Sequence, residues 1–98
     1  ALFVSDAVGC AQCHTGDAFT DRQRHAVIDA TSDVDATLAM VDTPSLLGAH
    51  ARAPHLHDGR AATLRDVLTV HNRGDRHGRT SQLDAASIDA LVAYIESL

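Results

Sequence analysis

Ninety-eight residues leave room for one hydrophobic core, so positions 1–98 are expected to form a single domain. With 45% hydrophobic and 21% charged residues the composition is globular, and a formal charge of −5 excludes nucleic acid as a partner, because phosphate binding needs a basic face. No apolar run approaches the ~18 residues needed to cross a bilayer, so a soluble chain without a membrane span is expected.

Two compositional features stand out. The aromatic residues are only Phe3, Phe19 and Tyr94, and a small domain so poor in large side chains usually needs a disulfide, a metal or a large ligand to complete its core. All eight basic residues are arginine.

In chain order, the segment "ALFVSDAVGC" is already amphipathic, as expected of a mature protein or an excised domain. Leu2, Phe3, Ala7 and Cys10 fall at roughly helical spacing and predict a short N-terminal helix. Residues 15–62 show little periodicity and hold both prolines and four of the seven histidines. They read as an ordered loop, and a loop this long in a small domain is expected to wrap something large. Over 63–72, "TLRDVLTVHN" starts with a Thr63–Asp66 capping pattern. Leu64, Val67, Leu68 and His71 then share one helix face, so an imidazole takes a slot where the pattern expects an aliphatic side chain. "NRGDRHG" ends that helix. Asp84 opens the last one, with Ile88, Leu91, Val92, Ile95 and Leu98 in a continuous stripe. No stretch reads as a strand, so the expected class is all-α.

The only two cysteines lie in "GCAQCHTG". On one helical turn Cys10, Cys13 and His14 stand at i, i+3 and i+4 and point to one side. That arrangement lets two thiols add across neighbouring vinyl groups of a haem while the next imidazole reaches the iron, the recognised c-type attachment signature. Two alternatives stand beside it. A C-x-x-C redox disulfide calls for a βαβ context that is missing. A zinc site needs further ligands, with His25 or His55 and His57 as candidates at no standard spacing.

A haem held by His14 has a second axial position, filled by Met or His in electron carriers and open where oxygen species are activated. His71, on the buried face of its expected helix, is the first candidate. His77 in its glycine-flanked turn, His57 and Met40 follow, and His25 and His50 read as loop or surface residues.

The linked motifs C-x-x-C-H at 10–14, "FTD" at 19–21, "TPSL" at 43–46 and "HDG" at 57–59 resemble, in order, the C-terminal haem domain of the bacterial dihaem cytochrome c peroxidase and MauG family. The terminal "LDAASIDALVAYIESL" resembles the last helix of class I cytochromes c, which packs across the N-terminal helix; that pairing would set Phe3 against Leu91 or Tyr94. The resemblance implies an all-α, class I cytochrome c-like fold around one covalent haem c. In the family the distal ligand stands fourteen positions beyond the loop histidine, which from His57 leads to His71. Relatives carry Met or Tyr there. The resemblance thus implies bis-histidine ligation by His14 and His71, a low potential and one-electron transfer. It also implies a periplasmic or otherwise exported location and a redox partner protein or an adjacent haem domain. His57 corresponds to a loop histidine that does not bind iron. The sequence departs from the family in having one C-x-x-C-H and a short loop before "TPSL", so no interdomain calcium site is expected. Arg52, Arg60 and Arg65 are candidate propionate partners by charge. Two other functions remain as alternatives: a peroxidase-like enzyme with an open sixth position, and a haem-based sensor with an exchangeable distal ligand.

Overall fold

The computed structural model describes residues 2–27 and 40–98. The middle of the expected wrapping loop, 28–39, lies outside the described residues. The longest element is α2, Ala85–Glu96, and α1 is Leu64–Leu68. Single 3-10 turns cover Cys10–Gln12, Ala49–Ala51 and Arg73–Asp75. Strands β1 (Arg24–His25) and β2 (Val41–Asp42) pair antiparallel, Arg24 opposite Asp42 and His25 opposite Val41.

Both helix starts follow the sequence. Thr63 Oγ1 accepts the N–H of Asp66 at 3.1 Å, and Asp84 Oδ1 accepts that of Ser87 at 2.8 Å. Each cap satisfies one of the donors that a helix N-terminus leaves free. The stripe on α2 buries Ile88, Leu91 and Ile95 against Phe3, Val8, Ala49 and Leu68. α1 rests on α2, and their outer rims are joined by an ion pair between Arg65 and Asp89.

Three expectations change. The segment before Cys10 forms turns rather than a helix. Ser5 accepts the N–H of both Val8 and Gly9 on its carbonyl, and Gly9 sits at φ +89°, a left-handed conformation that stops helical propagation. The segment is held from outside instead: Arg79 donates to the Asp6 and Ala7 carbonyls, and its own N–H bonds the Val8 carbonyl at 2.8 Å. Phe3 still meets the terminal helix, its ring centroid 5.0 Å from that of Tyr94 and 5.9 Å from that of Phe19. Second, the short β1–β2 ladder adds a strand pair to an otherwise helical chain.

The third change decides where functional groups point. α1 ends at Leu68, four residues short of its expected end. The β-branched Thr69 turns its hydroxyl back onto the Arg65 carbonyl at 2.8 Å, and its backbone leaves the helical region at φ −121°, ψ −86°. The His71 N–H then reaches back to the Asp66 carbonyl at 3.0 Å, one residue beyond an α-helical bond. The i+7 position that His71 was expected to fill does not exist.

Candidate haem pocket

The C-x-x-C-H segment folds as the 3-10 turn Cys10–Gln12 capped by Cys13, and the Cys10 carbonyl accepts the N–H of both Cys13 (3.3 Å) and His14 (3.0 Å). Cys10, Cys13 and His14 thereby line one cavity of about 530 Å3, within the usual range for a small-molecule or cofactor site. Its apolar walls come from Phe3, Leu46, Leu64, Val67, Leu68 and Ile95. Both cysteines carry free thiols. Burial pushes the Cys10 thiol pKa up, and burial together with the Asp21 carboxylate does the same for Cys13, so both stay protonated at neutral pH.

His14 is oriented through its ring. Nδ1 lies 3.0 Å from the Phe19 carbonyl, which can only accept, so the proton sits on Nδ1 and Nε2 keeps a bare lone pair. Burial lowers the His14 pKa, which favours this neutral form.

The imidazole that faces His14 belongs to His77. The two ring centroids are 6.3 Å apart with planes inclined at 30°, and both rings line the cavity. His77 is buried deeply enough to lower its pKa to about 4, the neighbouring His14 adding to the effect of burial. Its Nδ1 is buried without any hydrogen-bond partner among the described residues. His71 does not line the cavity.

The remaining candidates divide. His55 and His57 line the wall, His55 held by a backbone bridge to Ala61, while Met40 is 47% exposed and away from the cavity. His25, expected at the surface, lines the cavity too, with Nε2 2.6 Å from Asp21 Oδ2. Cys13, Asp21 and His25 bring ligand-type atoms within 4.8 Å of one another. This carries the zinc alternative only partway, since Asp21 and His25 already satisfy each other. The "FTD" tripeptide was the available signal for Asp21. Of the candidate propionate partners, Arg52 lines the cavity but spends its guanidinium on the Ser45 and Leu47 carbonyls. Arg60 is paired with Asp58, and Arg65 with Asp89.

The residues present fit a haem. Two buried neutral imidazoles, one nitrogen unpartnered, are costly as they stand. A metal bound to one nitrogen of each ring, at about 2 Å per bond, places such centroids roughly 6 Å apart.

Residues 1–98 match the family model for cytochrome c. Hydrazine synthase subunit gamma of Kuenenia stuttgartiensis is 30% identical over 99% of this chain and 39% of its own length. Methylamine utilization protein MauG of Methylorubrum extorquens is 29% identical over all of this chain and 33% of its own. In the solved structure of Kuenenia stuttgartiensis hydrazine synthase pressurised with xenon, a chain superposes with a TM-score of 0.85 at 28% identity, covering 99% of this chain and 44% of that one. The chain thus spans well under half the length of the relatives it matches. The resemblance to the MauG family drawn from the linked motifs is found again here.

Proposed function

The chain belongs to the cytochrome c family along its whole length, and from that premise we propose that it transfers single electrons through one covalent haem c ligated by His14 and His77. Family membership itself implies the covalent haem; the count, the ligands and the role are the proposal. When bound, the group supplies an iron that changes oxidation state by one electron with no bond to a substrate. The chain's residues do the rest. Cys10 and Cys13, kept as thiols, would hold the group through thioether bonds, one S–H for each vinyl double bond. His14 offers Nε2 in an orientation set by the Phe19 carbonyl. Phe3, Leu64, Val67, Leu68 and Ile95 exclude water and keep the local dielectric low.

The observation that carries this reading is the pair of imidazoles on one cavity, 6.3 Å apart. It favours His77 over His71 as the distal ligand while keeping both axial positions nitrogen, so a potential below that of a His/Met cytochrome is expected. A sixth position filled by His77 would favour a carrier over the peroxidase-like alternative. An acidic chain of formal charge −5 suits a redox partner or neighbouring domain with a positive contact surface. Haem attachment of this type takes place outside the cytoplasm, which supports an exported protein. Among the described residues no helix is long and apolar enough to cross a membrane.

The test is the ferric spectrum of three proteins made in a host competent for cytochrome maturation. The parent and His71→Met should be low-spin with no far-red sulfur-to-iron band, and His77→Ala should turn high-spin. A low-spin His77→Ala, or a sulfur-to-iron band in His71→Met, overturns the assignment. A high-spin parent that takes up cyanide rapidly returns the peroxidase-like function.

A further inference from the structure

The segment between α1 and α2 carries two polar side chains that are almost fully buried, Asn72 at 5% and Thr80 at 4% exposure. Buried polar groups are tolerated when every donor and acceptor is used, and here they are. Asn72 Oδ1 accepts the backbone N–H of His77 at 2.8 Å. Asn72 Nδ2 donates one hydrogen to the Gly78 carbonyl at 2.9 Å and the other to Thr80 Oγ1 at 2.8 Å. Thr80 Oγ1 passes its own hydrogen to the Leu68 carbonyl, the last residue of α1, at 2.6 Å. Turning the amide over would set Nδ2 against the His77 N–H and the amide oxygen against the Gly78 carbonyl, so only one orientation is possible.

The bridge grips the main chain on both sides of the His77 side chain and ties it to the end of a helix. The imidazole itself has no such hold, since its Nδ1 is buried without a partner among the described residues. His14 is the reverse, being oriented by a hydrogen bond from its own ring. A ligating histidine is ordinarily steered through its second nitrogen, and loss of such a partner costs about 10–100-fold in affinity or activity. At His77 that duty has moved to the backbone.

We propose that Asn72, braced by Thr80, is the positioning residue for the sixth ligand: it holds His77 opposite His14 through the main chain and so keeps that position closed to external ligands. This rests on His77 being the distal ligand. Without Asn72, nothing on the ring replaces the lost constraint, and the imidazole leaves the iron part of the time.

The experiment compares the ferric holoproteins of the parent, Asn72→Ala, Thr80→Val, Thr80→Ser and His77→Ala. Asn72→Ala should show a mixed high-spin and low-spin spectrum and bind cyanide about 10–100-fold faster than the parent. Added imidazole should restore its low-spin signature, a response that loss of stability alone does not produce. Thr80→Val, which keeps the shape and loses the hydroxyl, should shift the same way, and Thr80→Ser should match the parent. Parent-like spectra and cyanide kinetics in Asn72→Ala, beside a high-spin His77→Ala, overturn this inference and leave the ligand assignment intact. A low-spin His77→Ala overturns the ligand assignment itself. Failure of both Asn72→Ala and Thr80→Val to accumulate as holoprotein overturns the positioning role, by making the bridge a folding determinant.

Discussion

Phe3 takes over the work that a crossing N-terminal helix was expected to do, and replacing it tests that substitution quantitatively. The ring is 3% exposed, packs edge-on to Phe19 and tilted against Tyr94, and forms part of the cavity wall. Phe3→Leu keeps most of the apolar volume and loses two ring pairs, each worth about 0.5–1.5 kcal/mol beyond area, so about 1–3 kcal/mol is expected. Phe3→Ala also opens a cavity and should cost about 3–5 kcal/mol. For a domain with a total of roughly 5–15 kcal/mol that is a severe loss. At about 4–8 °C per kcal/mol, Phe3→Leu should lower the melting temperature of the ferric holoprotein by roughly 5–20 °C. The assay is far-UV circular dichroism on the parent, Phe3→Leu, Tyr94→Leu and the double variant. The cycle should return a coupling of about 0.5–1.5 kcal/mol between positions 3 and 94. Additive effects within about 0.3 kcal/mol, or a Phe3→Leu variant as stable as the parent, would refute the claim that ring contacts anchor the N-terminal segment.

The 30° between the His14 and His77 planes leads to a rhombic low-spin ferric electron paramagnetic resonance signal; the single strongly anisotropic line of perpendicular imidazoles would contradict the geometry. The Ser87 N–H holds the Asp84 carboxyl below the usual carboxylate range. Its contribution to α2 is therefore complete above the unfolded pKa of about 3.9 and lost as pH falls through the lower folded value. The protection of the Ser87 amide against exchange, taken relative to the intrinsic rate at each pH, should fall on acidification in the parent and stay flat in Asp84→Asn, which caps at any pH. Hydrogen bonds and charge from Arg60 hold Asp58 at about 2, so its contribution fades between an unfolded pKa near ~4 and that value. The pair is partly exposed, and Asp58→Asn should flatten the acid limb of the unfolding free energy from urea titrations by less than about 1 kcal/mol.

The parts of this molecule that were legible in its sequence are those fixed by contacts a few residues apart. The Thr63 and Asp84 caps, the apolar stripe of α2 and the grouping of Cys10, Cys13 and His14 each depend on spacings of one turn. The failures come where a longer-range or irregular contact overrides the pattern. Leu64, Val67 and Leu68 announce a helix correctly, but periodicity carries no term for the Thr69 hydroxyl that caps the helix early. The N-terminal spacing was helical as well, and Gly9 together with the grip of Arg79, seventy-odd residues away in the chain, outweighs it. Two-residue strands such as β1 and β2 are below what alternation can register.

His77, proposed here as the distal ligand, shows the same limit in its placement on the cavity. It sits in a stretch with left-handed Gly74, Asp75 and Gly78, where no face or period assigns a direction to a side chain. What directs it is Asn72, five positions earlier, acting on the backbone and relayed to α1 through Thr80. Early termination of α1 and the placing of His77, not His71, on the cavity therefore go together. The chain that leaves the helix at Thr69 carries His71 off the buried face, and the same departure lets Asn72 turn inward and set His77 on the cavity. On the proposed ligation the two axial positions would be held by different means, a ring-to-carbonyl hydrogen bond at His14 and a main-chain bridge at His77. On that proposal, the stiffness an electron carrier requires on its distal side would come from an asparagine whose hydrogen bonds go to the main chain and Thr80.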